Sequence, residues 1–153
     1  MQPVEKGAPI QCSGPLSRRF STKVHAVVDV KGQPLHIELT PGQQHEATMA
    51  GVLLDHAQGR ACIADAGYDA EHIRSAIRLR KMKAVIPSNP TRAIIRRYDK
   101  KLYRCRYLVE CFFHKLKACR RIATRYEKTA RNYLALIHLA CALQWIDAQT
   151  SGR

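Results

Sequence analysis

Residues 103 to 117 read YRCRYLVECFFHKLK, with one carboxylate, Glu110, among arginines, lysines and a histidine. An acid in such surroundings can do one of two things. It can balance its neighbours as i, i+4 pairs, Arg106 to Glu110 and Glu110 to His114, each worth a few tenths of a kcal/mol. It can also hold a metal ion beside a polyanion. At about 100° per residue from Glu110, Tyr103 falls near +20°, Arg106 near −40°, His114 near +40° and Lys117 near −20°. These five side chains share a stripe about 80° wide. Cys105, Leu108, Val109, Phe112, Leu116 and Cys119 form an apolar face on the other side. The spacing predicts a helix that packs by one face and presents a charged row on the other.

The charge around this row is lopsided. The whole chain carries 26 basic and 12 acidic side chains, a net +14. From Arg92 to Arg131 there are fourteen Lys or Arg and three acids (Asp99, Glu110, Glu127), so 14 − 3 = +11 falls within forty residues. A patch of this density attracts polyanions and points to nucleic acid. Aromatic rings at Tyr98, Tyr103, Tyr107 and Tyr126 interleave with it; simple packing is the plainer role for Tyr107, and some of the others can stack on a frayed base.

The elements that must position the row are legible from residue 21 onward. STKVHAVVDVKGQPLHIELT alternates on either side of a turn, with Val24, Ala26 and Val28 on one face and Lys23, His25 and Val27 on the other, which predicts a β-hairpin. Asp29 lies in its DVKGQP turn, where turn formation is its plainer role. HEATMAGVLLDHA spaces Met49, Val52, Leu53 and Ala57 as a helix, stopped by Gly59. ACIAD reads as a buried strand ending in an acid. DAEHIRSAIRLRK reads as an amphipathic helix capped by Asp69, with Ile73, Ile77 and Leu79 near the core. KAVIP is a further strand, and SNPTRAIIRRYDKK a basic loop. One long helix is expected from Tyr103 to about Arg120 and another from about Thr129 to Asp147. The fold class is therefore α/β, a mixed sheet with flanking helices.

The four residues Tyr103, Arg106, Glu110 and Lys117 stand in the order Y-x2-R-x3-E-x6-K. That pattern resembles the signature of DDE transposases from bacterial insertion sequences, whose catalytic domain is RNase H-like. STKVHAVVDVKGQPLHIELTPGQ resembles the family's central hairpin, IADAGYDAEHIR its second aspartate block, and RRIATRYEKTARNYLALIHLACALQWI its C-terminal helices. The resemblance implies that Asp65 and Glu110 are the second and third catalytic acids and metal ligands. Strand position agrees for Asp65, because sites in α/β sheets lie off the carboxyl ends of strands; the alternative role, a turn or capping acid for the following helix, is one that Asp69 fills more naturally. In the family, three carboxylates hold two Mg2+ (or Mn2+) ions about 4 Å apart, which activate a water or a 3′-hydroxyl and stabilise the leaving oxygen. Tyr103, Arg106 and Lys117 are then expected on backbone phosphates of double-stranded DNA at transposon ends and target.

The resemblance also has a gap. The family's first aspartate lies on the opening strand, but residues 1 to 20 hold Gly7, Pro9, Gly14 and Pro15, and their sole acid is Glu5. Residues 1–20 are accordingly expected to be a disordered leader, 21–149 a partial catalytic domain with its first strand missing, and 150–153 a tail. The expected function is transposition by part of a transposase, truncated or one product of a split reading frame, inactive alone and completed by an upstream part. The alternative is a catalytically inactive DNA-binding remnant or regulator, and a homodimer is a further expected partner.

Other classes find less support. No P-loop is present. Six cysteines, at 12, 62, 105, 111, 119 and 141, include no C-x-x-C pair and are expected to be reduced. Cys105, Cys111, His114 and Cys119 diverge around one helix and match no zinc finger. The longest apolar run, YLALIHLACALQWI, is too short to span a bilayer, and MQPVEKGAPIQC lacks a signal-peptide core, so a cytoplasmic location is expected.

Overall fold

The computed structural model describes residues 8–13, as backbone, and 22–150. Its centre is a five-stranded sheet. The hairpin supplies β2 (Thr22–Val28) and β3 (Pro34–Pro41), paired antiparallel with Val24 opposite Leu39 and Ala26 opposite Ile37. In the turn between them, Asp29 Oδ1 accepts the backbone N–H groups of Lys31 and Gln33, each at 2.8 Å, and Gly32 takes φ 78°. That carboxylate is engaged in the turn.

A strand also forms where none was expected. Residues Ala8–Ser13, β1, lie between β2 and β4 (Ala61–Ala64), antiparallel to the first and parallel to the second. The order is β3-β2-β1-β4-β5, with β5 (Lys83–Val85) parallel to β4 at the edge. The expectation of a missing first strand is therefore corrected, and with it that of a disordered leader at residues 8–13; residues 1–7 and 14–21 lie outside the described residues. APIQCS alternates Ala8, Ile10 and Cys12 with Pro9, Gln11 and Ser13, a weak strand signal that Gly7 and Pro9 mask by punctuating the segment like a loop. Its strand conformation is fixed by pairing with β2 and β4 on either side.

Helices cover both faces. On one, α1 (Ala50–His56) and α2 (Glu71–Leu79) bury Leu53, Leu54, Ile73 and Ile77 against Val27, Cys62 and Ala64. On the other, Val24, Ala26 and Val28 meet Val109, Phe112, Phe113, Leu116, Ile122, Tyr133 and Ile137. The alternation of β2 is as the sequence predicts, but both of its faces are buried, as befits an inner strand. The core differs from expectation at Leu79, which is 83% exposed although Ile73 and Ile77 of the same helix are buried as expected; Val52 is 42% exposed, α1 turning Leu53 and Leu54 inward.

The helix expected from residue 103 to 120 is a jointed run. It comprises α3 (Lys100–Tyr103), a 3-10 turn at Arg104–Arg106, α4 (Tyr107–Ala118) and, after Cys119 takes extended ψ 103°, the short α5 (Arg120–Ala123). Asp99 starts it, its carboxylate accepting the N–H groups of Lys101 and Leu102 at 3.0 and 3.1 Å. The last helix, α6 (Ala130–Thr150), is fixed by the Tyr133 hydroxyl donating to Ile122 O at 3.2 Å and the Trp145 indole donating to Pro34 O at 2.9 Å.

Candidate active site

Strand alternation aims Asp65. Along β4, Cys62 and Ala64 point to the α1–α2 face, while Ala61 and Ile63 meet Tyr98, Leu102, Tyr103 and Cys105. Asp65 continues the second set. Its backbone is still extended (φ −72°, ψ 165°) as the chain enters the 3-10 turn Ala66–Tyr68, and its side chain caps nothing there. It reaches toward the α3–α4 run, where Arg106 Nη1 lies 3.1 Å from Oδ1 and the Tyr103 hydroxyl donates to the same oxygen at 3.4 Å.

Arg106 then joins Asp65 to Glu110. Its second terminal nitrogen pairs with Glu110 Oε1, one helical turn along. The two acids predicted from the sequence are thus brought to one guanidinium, one from the end of a buried strand and one from a helix. Their exposures differ: the Asp65 side chain is 26% exposed and that of Glu110 50%. Burial raises the Asp65 pKa above the ordinary carboxylate value, Arg106 and Tyr103 oppose this, and Glu110 adds to it. One cation shared by two carboxylates under-compensates the buried one.

The rest of the row divides. Tyr103 and Arg106 turn inward to Asp65, the Arg106 guanidinium also lying 5.9 Å from the Tyr103 ring centroid. His114 and Lys117 stay exposed; Lys117 stands seven residues beyond Glu110, about 10 Å along the helix. Lys115, Arg120 and Arg121 are exposed nearby, so a basic surface continues from the acids along α4 and α5. Tyr107 is 56% exposed and belongs to this surface rather than to the core.

Asp69 is not the cap it resembles. Ala70 holds that position, while the Asp69 side chain is fully buried and serves as an anchor. Arg74 Nε donates to its Oδ1 at 2.8 Å, Asn89 N–H to its Oδ2 at 2.9 Å, and Arg92 Nε lies 3.3 Å from Oδ2. Arg74 is itself buried and also donates to Ile86 O at 2.9 Å. This tie fixes the turn after Asp65 to the loop after β5. Sequence reasoning missed it, although an Asp followed by an Arg five residues on, inside an apolar helix face, was a signal.

A divalent cation can be tested against these donors. Asp65 and Glu110 are hard oxygen ligands, and Mg2+ commonly takes one or two carboxylates and completes its shell with water. Two acids fit one such ion. They do not make the three-carboxylate set for a pair, and among the described residues no three His, Cys, Asp or Glu side chains cluster as a metal site. The strand beside Asp65 bears on this. Ile10 pairs with Ala64 in parallel register, so Gln11 follows Ile10 as Asp65 follows Ala64, and APIQCS holds no acid. Among the described residues the zinc reading of Cys105, Cys111, His114 and Cys119 also finds no cluster, and the five described thiols are free.

The profile of the transposase DDE domain matches residues 5–145. The chain belongs to the transposase DDE domain family. Its relatives agree: a putative transposase for insertion sequence element IS6501 from Brucella ovis is 47% identical over 129 residues, 83% of this chain and 99% of that protein. A putative transposase for insertion sequence element IS402 from Burkholderia cepacia is 30% identical over 150 residues, 90% of this chain and 69% of that one. Among solved structures, the catalytic core domain of BIV integrase superposes with a TM-score of 0.52 at 15% identity, covering 87% of this chain and 80% of that one. At this identity the likeness concerns the fold, which is RNase H-like. Family and fold together imply that this DDE transposase domain depends on a divalent metal and binds DNA. Among its described residues, no helix is long and apolar enough to cross a membrane.

Proposed function

We propose that the chain is a transposase domain that binds double-stranded DNA at insertion-sequence ends through the α4–α5 surface, with Asp65 and Glu110 as ligands of one Mg2+ or Mn2+ ion. The observation that supports this most is the meeting of an acid from the carboxyl end of β4 with the acid of the Y-x2-R-x3-E-x6-K row on a single guanidinium. When bound, the ion supplies Lewis-acid chemistry at a phosphodiester. The protein's own share is to hold two carboxylates at fixed positions and to offer Lys117 and its neighbours to backbone phosphates, where they position DNA without reading its sequence.

The absence of an acid from β1 favours a second reading, in which the chain binds transposon ends without cutting them unless an upstream part or a second copy supplies the missing carboxylate. Two experiments separate these readings. Mn2+ titration by electron paramagnetic resonance should show one bound ion, weakened in Glu110→Gln and Asp65→Asn; equal affinity in all three proteins would remove the acids from the metal. A strand-transfer assay with the purified chain should show DNA binding without joined product, and metal-dependent joining would overturn the second reading.

A further inference from the structure

Resemblance assigns Arg106 to DNA, yet in the folded chain its guanidinium is committed elsewhere. One terminal nitrogen is 3.1 Å from Asp65 Oδ1 and the other pairs with Glu110 Oε1. Among the described residues it is the one ion-pair partner of either acid. Its side chain is 24% exposed, so this contact is partly screened from water, and with the Tyr103 hydroxyl on Asp65 Oδ1 it ties the end of β4 to the α3–α4 run.

The oxygens that Arg106 occupies are those a metal would need. Two carboxylates and one guanidinium sum to −2 + 1 = −1, and a divalent ion on the same acids brings the pair to zero. Both cations cannot bind the same oxygens at full strength. Arg106 sits one helical turn from Glu110, just before α4, and needs only side-chain rotation to leave. On that side of the run the exposed surface carries His114 and Lys117.

We infer that Arg106 is an exchangeable internal cation. Without metal it holds Asp65 and Glu110 together; a divalent ion displaces it, and the released guanidinium takes a DNA phosphate. This rests on the reading of Asp65 and Glu110 as metal ligands, and it goes beyond that reading by making metal and DNA binding two halves of one equilibrium. Linkage then requires that metal strengthen DNA binding by the same factor by which DNA strengthens metal binding. Arg106 is a positioning residue in one state and a phosphate contact in the other.

The test uses the full chain, Mn2+ as probe and a double-stranded oligonucleotide, with Arg106→Ala, Arg106→Lys and Glu110→Gln compared with the parent. Arg106→Ala, freed of its competitor, should bind Mn2+ about fivefold or more tightly in the absence of DNA. The slope of log DNA affinity against log salt should change little on Arg106→Ala without metal, and fall by about one at a fixed Mn2+ concentration. Arg106→Lys, which keeps the charge but not the fork, should restore most of that slope and confirms that the fold survives substitution here. A slope that falls equally with and without metal, or Mn2+ affinity unchanged or weakened in Arg106→Ala, overturns the exchange. If Glu110→Gln still weakens Mn2+ in that case, the metal pair stands and only the exchange fails. If neither the parent nor Arg106→Ala binds Mn2+, both fail.

Discussion

Replacing Asp69 by Asn would test how the turn after Asp65 is held. The substitution keeps the shape and removes the charge. The Asp69 side chain is fully buried and that of Arg74 4% exposed, so the change strands a guanidinium that can no longer reach water. The new amide also offers an N–H where Asn89 N–H or Arg74 Nε now donates. Breaking a buried pair from one side costs about 3–5 kcal/mol, against a total stability of about 5–15 kcal/mol for a domain. For a chain of this size the melting temperature should fall by roughly 6 to 20 °C. Urea unfolding followed through the single tryptophan, Trp145, gives the free energy directly. Arg74→Met combined with Asp69→Asn should recover part of the loss, since no buried charge then remains. Glu71→Gln, which removes an exposed acid paired with Arg78 and Arg96, should leave the midpoint where it was. The pH dependence has a definite sign. Burial pushes the Asp69 carboxyl up, but the Asn89 N–H and the Arg74 and Arg92 guanidiniums outweigh it and hold the carboxyl below its usual value. Its contribution is therefore full above about pH 4, the unfolded value, and is lost as pH falls through the lower folded one. A loss below about 1 kcal/mol in Asp69→Asn, unchanged between pH 7 and acid, would refute the anchor.

Three further outcomes follow from the same structure. His25 is fully buried, with Nε2 2.8 Å from Thr40 Oγ1 and Nδ1 3.1 Å from the Tyr68 hydroxyl, and burial takes its pKa from 6.5 to about 4. The unfolded chain thus binds the extra proton first, and stability that is full above about pH 6.5 should fall by on the order of 3 kcal/mol toward pH 4; urea midpoints at pH 7 and 5 in the parent and His25→Gln measure this, and the variant should be flatter. Lys117→Ala should lower the salt slope of DNA binding by about one with or without metal, as titration by fluorescence anisotropy would show. Phe112→Ala, at 1% exposure between β2 and α6, should cost about 3–5 kcal/mol in urea and carry the α4 row away with the fold.

The legible part of this protein was the part with local period. The hairpin alternation, the apolar run of β4 and the helical spacing of Glu110, His114 and Lys117 on α4 each arise from neighbours within a few residues, and each formed as expected, while Tyr103 and Arg106 fall in the joint before α4. The pattern failed where a partner decided. Val52 and Leu79 are apolar at helical spacing yet exposed, because the core accepts only as many residues as the sheet can cover. Asp69 has the sequence position of a cap, but a buried guanidinium is a stronger partner than two free N–H groups.

The sequence by itself determined that one acid would stand in a basic row on a helix, and that another would end a buried strand. Tertiary structure decided the rest. It drew APIQCS into the middle of the sheet, because β2 and β4 leave there two rows of backbone groups that need partners. It also brought Asp65 and Glu110, 45 positions apart in the chain, to the two ends of one arginine. No local period encodes that meeting, since it depends on which face of β4 looks toward α4 and on how far the jointed run leans across the sheet.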